Sequence, residues 1–280
     1  MLFFVSSPTF VLTQARAVWQ WYNYAAEAVR GQTVLNINFD ETSVAYYYGE
    51  GKGYVLAKAK DKSVKEAVTH AARGEMRGAM THVAVICDHS EIQAELPQVF
   101  ISNKRLISLK AYKEFEKALP RNIFIVRQDS GWNNNDIMSK LIRLLGKALA
   151  PRRGQVAPII FMDTARCHGH ARVLRACRDT GIVPIFIPAK ATWLLQPLDT
   201  HAFALYKAAM RRAYNDAQID SGKNVLDTVS WIWILVKVTQ RVLQGRTWKR
   251  SFESNGFSPG RLGVRHRIFV ETGLQQPLQI

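Results

Sequence analysis

Val34-Leu35-Asn36-Ile37-Asn38-Phe39-Asp40-Glu41-Thr42 decides how this chain of 280 residues is read. Apolar and polar residues alternate from Val34 to Phe39 with period 2, the pattern of a strand with one face in a core. Asp40, Glu41 and Thr42 end that strand. Upstream, Val11, Ala15, Val18, Trp19, Tyr22, Ala26 and Val29 recur at helical spacing, and Gly31 is the stop signal. Downstream, a second strand is predicted at Ser43–Tyr48 and a return strand at Tyr54–Ala59, with Gly49, Gly51 and Gly53 marking the hairpin turn between them. The same glycines make Gly49-Glu50-Gly51-Lys52-Gly53 look like a phosphate loop. The segment has neither a strand–loop–helix setting nor a Lys-Ser/Thr ending, so the hairpin is preferred.

Further out, apolar strands are predicted at 81–87, 122–126, 156–162 and 182–187, and helices at 108–118, 136–149, 168–179 and 197–214. The stretch between 87 and about 107 gives no clear pattern. Helix, three strands, then alternating helix and strand is an α/β order, with an antiparallel opening and a parallel continuation. Open sheets of this kind place their ligands at strand ends, where Asp40 and Asp163 stand.

Composition bounds the function. Hydrophobic residues are 48% and charged residues 21%, which excludes disordered, collagen-like and coiled-coil chains. Lys and Arg number 38 against 22 Asp and Glu, a net charge of +16, so a polyanion is the expected partner and nucleic acid the first candidate. Cys87, Cys167 and Cys177 form an odd, sparse set without a CxxC pair, which argues against a disulfide framework and a structural zinc site and fits a reducing compartment. The strongest apolar run, Trp231–Val236, falls far short of the roughly 20 residues a bilayer needs, so no membrane partner is expected.

Three aspartates stand out by context. Asp40 and Asp163 each follow an apolar strand, and Asp199 follows Leu194-Leu195-Gln196-Pro197-Leu198 at the start of a helix. Any one of them can be a turn former or a helix cap. Together, three carboxylates from separate elements can hold two hard cations roughly 3.5–4 Å apart, the clamp used for in-line phosphoryl displacement.

These residues resemble a known family. Asn36–Thr42 is similar to the first motif of pogo-like transposases of the DDE superfamily endonucleases, a group related to centromere protein B and the Tigger-like elements. Ile159–His168 resembles the second motif, apolar-apolar-Asp-Asn-Ala-x-x-His. Ile187-Pro188-Ala189-Lys190-Ala191-Thr192-Trp193-Leu194-Leu195-Gln196-Pro197-Leu198-Asp199 resembles the third, and Ala202–Lys207 fills the apolar-aromatic-Lys slot after it. The step of 36 residues from Asp163 to Asp199 matches the family's spacing. A weaker echo of the tail that follows the catalytic region runs over Gly245–Phe257, with Trp248, Phe252 and Gly256.

The resemblance implies an RNase H-like α/β fold, a mixed sheet flanked by helices, with a helical C-terminal tail. It divides the chain into a helical lead-in (1–33), a catalytic domain (34–215) and a basic helical extension (216–280). Asp40, Asp163 and Asp199 become a catalytic, metal-binding triad for two Mg²⁺ or Mn²⁺ ions. The activity implied is phosphodiester hydrolysis and strand transfer on DNA, in the nucleus, with a homo-oligomer assembled on the DNA. The rival reading is a domesticated or decayed nucleic-acid-binding protein that no longer cuts. Two departures motivate it: Thr164 stands where the family has Asn after its second acid, and the 33 residues before the first strand are too few for the family's helix-turn-helix module.

Around the triad, Thr164, His168 and Gln196 are candidate supporting residues, and Lys207, Arg211 and Arg212 candidate DNA contacts. His168 either orients a ligand, contacts phosphate or is merely structural; Gln196 and Pro197 shape the turn before Asp199. Glu41, next to Asp40 on a strand, should point to the opposite face, and a capping or solvated role is preferred to a fourth ligand. Residues 201–280 hold 12 Lys and Arg against 5 Asp and Glu. Trp231, Trp233 and Trp248 are expected in the core.

Overall fold

The computed structural model describes residues 8–29, 31–46, 78–223 and 225–258. The hairpin turn at Gly49–Gly53, the strand expected at Tyr54–Ala59, and the last basic residues of the expected C-terminal extension, Arg261, Arg265 and Arg267, lie outside the described residues.

Among the described residues, six strands form one sheet: β1 (Thr33–Ala45), β2 (Ala79–Cys87), β3 (Gln98–Asn103), β4 (Ile123–Gln128), β5 (Val156–Asp163) and β6 (Val183–Ile187), in the spatial order β4-β3-β2-β1-β5-β6. β2 is antiparallel to β1 and β3, and the pairs β3–β4, β1–β5 and β5–β6 are parallel. Helices cover both faces, so this is the mixed, helix-flanked sheet of the RNase H-like fold.

The alternation in β1 sorts the two cores. Leu35, Ile37 and Phe39 join a cluster with α4 (Asn135–Leu149) and α5 (Ala171–Thr180) through Met138, Leu141, Val173 and Ala176; Ile92, on α2 (Ser90–Gln93), belongs to the same cluster. Val44 and, from β5, Ile159 and Phe161 face the other cluster. That cluster draws on α1 (Pro8–Ala28), α3 (Leu109–Phe115), α6 (Thr192–Leu195), α7 (Phe203–Ser221), α8 (Thr228–Thr239) and α9 (Lys249–Ser254). Trp231 and Trp248 are buried within it and Trp233 packs against its edge. A helical C-terminal region is therefore built into the core on one face of the sheet.

Four elements differ from the sequence expectation. β1 does not end at Asp40–Thr42 and restart; it runs unbroken to Ala45, because its ladder with β2 continues through Asp40↔Ala84 to Ala45↔Ala79. β3 occupies the stretch that gave no pattern. Its residues are buried on both faces, Gln98 and Ser102 included, so period 2 is absent from it. α5 begins at Ala171, which leaves His168 in the turn after β5. The helix after Pro197 opens with a π-turn, Leu198–Ala202, and continues to Ser221.

Two buried asparagines hold the Asp199 segment, one from the sheet and one from the C-terminal helices. Asn38 donates from Nδ2 to the carbonyls of Phe161 and Phe39 at 3.1 and 3.2 Å, and its Oδ1 accepts from the Leu198 amide at 2.8 Å. Asn255, just past α9, donates to the Leu194 carbonyl, accepts from Thr200 Oγ1 at 3.1 Å, and its own carbonyl accepts from Trp19 Nε1 at 3.0 Å. The echo over Gly245–Phe257 is thus a clamp from behind the third motif.

Gly256 shows how tight that clamp is. Its φ is +89°, and a Cβ there would stand 2.5 Å from Trp19 Nε1, an atom held by its bond to Asn255. Gly256→Ala is expected to cost about 1–3 kcal/mol of stability, read as a lower urea midpoint with unchanged slope. A variant as stable as wild type would contradict the clamp.

Candidate active site

β1 and β5 bring the first two aspartates together. They are paired in parallel as far as Asn38↔Phe161. Carried two residues further, that register sets Asp40 level with Asp163 on neighbouring strands, roughly 5 Å apart at the backbone, with both on the face that holds Phe161. Asp199 reaches the same place from the π-turn, one residue beyond the Leu198 amide that Asn38 holds.

Asp199 senses both of the other acids. Burial first, then the Asp199 charge, pushes the Asp40 carboxyl up to about 8, against the bond its Oδ1 accepts from the Glu41 amide at 2.8 Å. Burial and the Asp163 charge raise Asp199 as well, while its hydrogen bond with Asp40 and the Lys207 ammonium pull the other way. Both acids are therefore held above the ordinary carboxylate range. Gln196, 1% exposed, donates from Nε2 toward Asp199 Oδ2 at 3.4 Å and also hydrogen-bonds Asp40. Its backbone carbonyl accepts from the Thr200 amide at 3.0 Å. Gln196 thus shapes the turn and touches both acids.

Asp163 differs. Its burial would raise it, but His168 and the Ala165 amide outweigh that and hold it below its ordinary value. His168 Nδ1 lies 2.5 Å from Asp163 Oδ1 and its Nε2 lies 3.1 Å from Glu41 Oε1. The ring is 1% exposed and packs edge-on against Phe39. Despite burial, the two carboxylates push the imidazole up to about 10, so it carries its charge at neutral pH. The expectation of a capping or solvated Glu41 is corrected here. Glu41 does point away from Asp40, yet it is mostly covered and accepts from both His168 and Asn133 Nδ2. Asn133 went unread in the sequence, since nothing near it in the chain signals a partner 92 positions away.

The remaining candidates lie at the rim. Thr164 is exposed beside Asp163, whose Oδ1 accepts instead from Ala165 N at 3.0 Å. Lys207, Arg211 and Arg212 are exposed along α7, which leads away from Asp199. Glu41, Cys167 and His168 have ligating atoms within 4.8 Å of one another, but both nitrogens of His168 are already spent on carboxylates.

Residues 83–239, more than half the chain, match the DDE superfamily endonuclease family. The chain belongs to that family. The matched stretch contains Asp163 and Asp199, while Asp40 precedes it. Among solved structures, the catalytic domain of Mos1 mariner transposase is similar at 10% identity and a TM-score of 0.42, covering 91% of this chain and 97% of that one. The Mos1 mariner paired-end complex with Mn aligns at 12% identity and a TM-score of 0.43, over 87% of this chain and 62% of that one. A curated relative, the MFS-type transporter clz9 of Cochliobolus lunatus, is 29% identical over 103 residues, which are 35% of this endonuclease-family chain and 11% of that protein. No helix among the described residues is long and apolar enough to cross a membrane.

The Asp40 shift has a measurable sign. Its folded value lies above its ordinary 3.8, so the folded state holds a proton that the unfolded state releases. The stabilisation is complete below about pH 4 and is lost as pH rises through about 8. In metal-free buffer, Asp40→Asn should unfold with a flatter pH dependence and, at pH 8, be more stable than wild type by on the order of a few kcal/mol. Parallel stability–pH curves for the two proteins would contradict the assignment.

Proposed function

We propose that this chain is a DNA-cleaving catalytic domain in which Asp40, Asp163 and Asp199 hold two Mg²⁺ or Mn²⁺ ions for phosphodiester hydrolysis and strand transfer. The observation that carries this reading is the β1–β5 register, which carried on sets Asp40 level with Asp163, together with Asp199 lying near enough to act on Asp40 and to be acted on by Asp163. Such a donor set is all hard oxygen, drawn from three separate elements, and its mutual repulsion is relieved by divalent cations. The side chains present therefore fit the group the family uses. When bound, the ions supply Lewis-acid activation of the attacking water or DNA 3′-hydroxyl and offset charge on the leaving oxygen.

The chain's own part is placement. His168 and the Ala165 amide fix Asp163, the Asn38 bond to Leu198 fixes the turn carrying Asp199, and Gln196 spaces Asp199 from Asp40. Cation binding would release the proton that the raised Asp40 carboxyl holds, since a ligand carboxylate must be charged. Lys207, Arg211 and Arg212 supply a basic flank for the DNA backbone, and the +16 charge draws DNA in from a distance. Assembly of copies on DNA and a nuclear site of action belong to the same proposal. Support for an active rather than a decayed enzyme comes from Asp163, which is anchored without help from Thr164.

Asp199→Asn keeps the volume and one oxygen but removes a charge. With Mg²⁺ or Mn²⁺, nicking of labelled duplex should fall by orders of magnitude while DNA binding stays intact or tightens slightly. Equal background cleavage by two proteins that both bind would favour the non-catalytic reading. Binding itself should weaken steeply with salt, and Arg211→Glu with Arg212→Glu should weaken it for all sequences alike and reduce the salt slope. An unchanged slope would remove α7 from the DNA path.

A further inference from the structure

The Glu41 side of β1 carries an arrangement that the proposed cation chemistry does not use. Asn133, Glu41, His168 and Asp163 form a chain of hydrogen bonds across the end of the sheet. Asn133 Nδ2 donates to Glu41 Oε1, His168 Nε2 faces the same oxygen at 3.1 Å, and His168 Nδ1 faces Asp163 Oδ1 at 2.5 Å and the Asp163 carbonyl at 3.2 Å. Both imidazole nitrogens meet carboxylate oxygens, so both act as donors. The ring cannot turn away, because it is 1% exposed and wedged edge-on at 4.8 Å from Phe39.

The consequence falls on Asp163. Its Oδ1 accepts from His168 and, at 3.0 Å, from the Ala165 amide. Both lone-pair directions of that oxygen are occupied, and Oδ2 alone is left to serve the acidic cluster. We propose that Glu41 is a positioning residue: through His168 it locks Asp163 so that the carboxylate offers a single oxygen, Oδ2, to a divalent cation. Glu41 is then no ligand itself, although its own oxygen lies near Cys167 and His168. Asp40 and Glu41 act on the same site from opposite faces of one strand, the first by contact and the second through a histidine 127 positions away. The inference rests on the functional reading above, since a locked Asp163 matters only if cations bind there.

A ligand and a hydrogen-bond acceptor respond differently to loss of charge. Glu41→Gln keeps an oxygen for His168, whereas Glu41→Ala removes it. Mn²⁺ binding to the full chain, measured calorimetrically and by Mn²⁺ spin resonance without DNA, should weaken 10–100-fold in Glu41→Ala. Glu41→Gln should restore it to within about threefold of wild type. In metal-free protein, the imidazole Nδ1 proton, read by NMR, should lie far downfield in wild type and Glu41→Gln and move upfield in Glu41→Ala. Thermal melts and retained DNA binding confirm folded variants. Equal Mn²⁺ affinity in wild type and Glu41→Ala would overturn the inference alone. Loss of binding in both variants alike would make Glu41 a ligand and overturn it too. A wild-type chain that binds no Mn²⁺ would overturn the functional reading together with the inference.

Discussion

Parallel pairing of β1 with β5 is the constraint on which the rest of the molecule depends. Carried two residues past Asn38↔Phe161, that register sets Asp40 level with Asp163 before any side chain has a choice. The remaining architecture brings the third acid to that point and holds it there against like charge. Asn38 grips the Leu198 amide from the sheet side, and Asn255 grips Leu194 and Thr200 from behind. These bonds are buried, so losing one leaves an unmet polar group and not merely a weaker contact. Their bonds offset a repulsion that the apolar core alone would relieve by letting the turn swing outward.

The site is divided by charge. On one face, burial and mutual repulsion keep Asp40 and Asp199 above their ordinary range. At the strand end, a charged and buried His168 holds Asp163 below its own. The site therefore combines Asp163, held low, with Asp40 and Asp199, both held high. That asymmetry follows from strand alternation, which sends neighbours Asp40 and Glu41 to opposite faces.

Much of this was legible in the sequence, for identifiable reasons. The long third motif announces both the helix after Pro197 and Asp199, and the 36-residue step ties Asp199 to Asp163. Period-2 alternation in Val34–Phe39 finds β1. It fails for β3, where both faces are buried and polar Gln98 sits among apolar residues to bond Val85. The break expected at Asp40–Thr42 was wrong because acidic residues in a strand read as a stop, whereas here the antiparallel ladder carries the strand past them. Glu41 was misread because strand geometry gives its direction but not its partner. His168 and Asn133 come from distant turns, and Asn255 from a helix end that only weakly echoes the family. Contacts of that range leave no local pattern.

The central claim is that Asp40, Asp163 and Asp199 form one cation site. Anomalous scattering from crystals soaked in Mn²⁺ tests it most directly. A manganese peak is expected within about 2.0–2.3 Å of oxygens from Asp40 and Asp199, with Asp163 contributing Oδ2. Manganese absent from the three aspartates and bound instead at Glu41, Cys167 and His168 would contradict it.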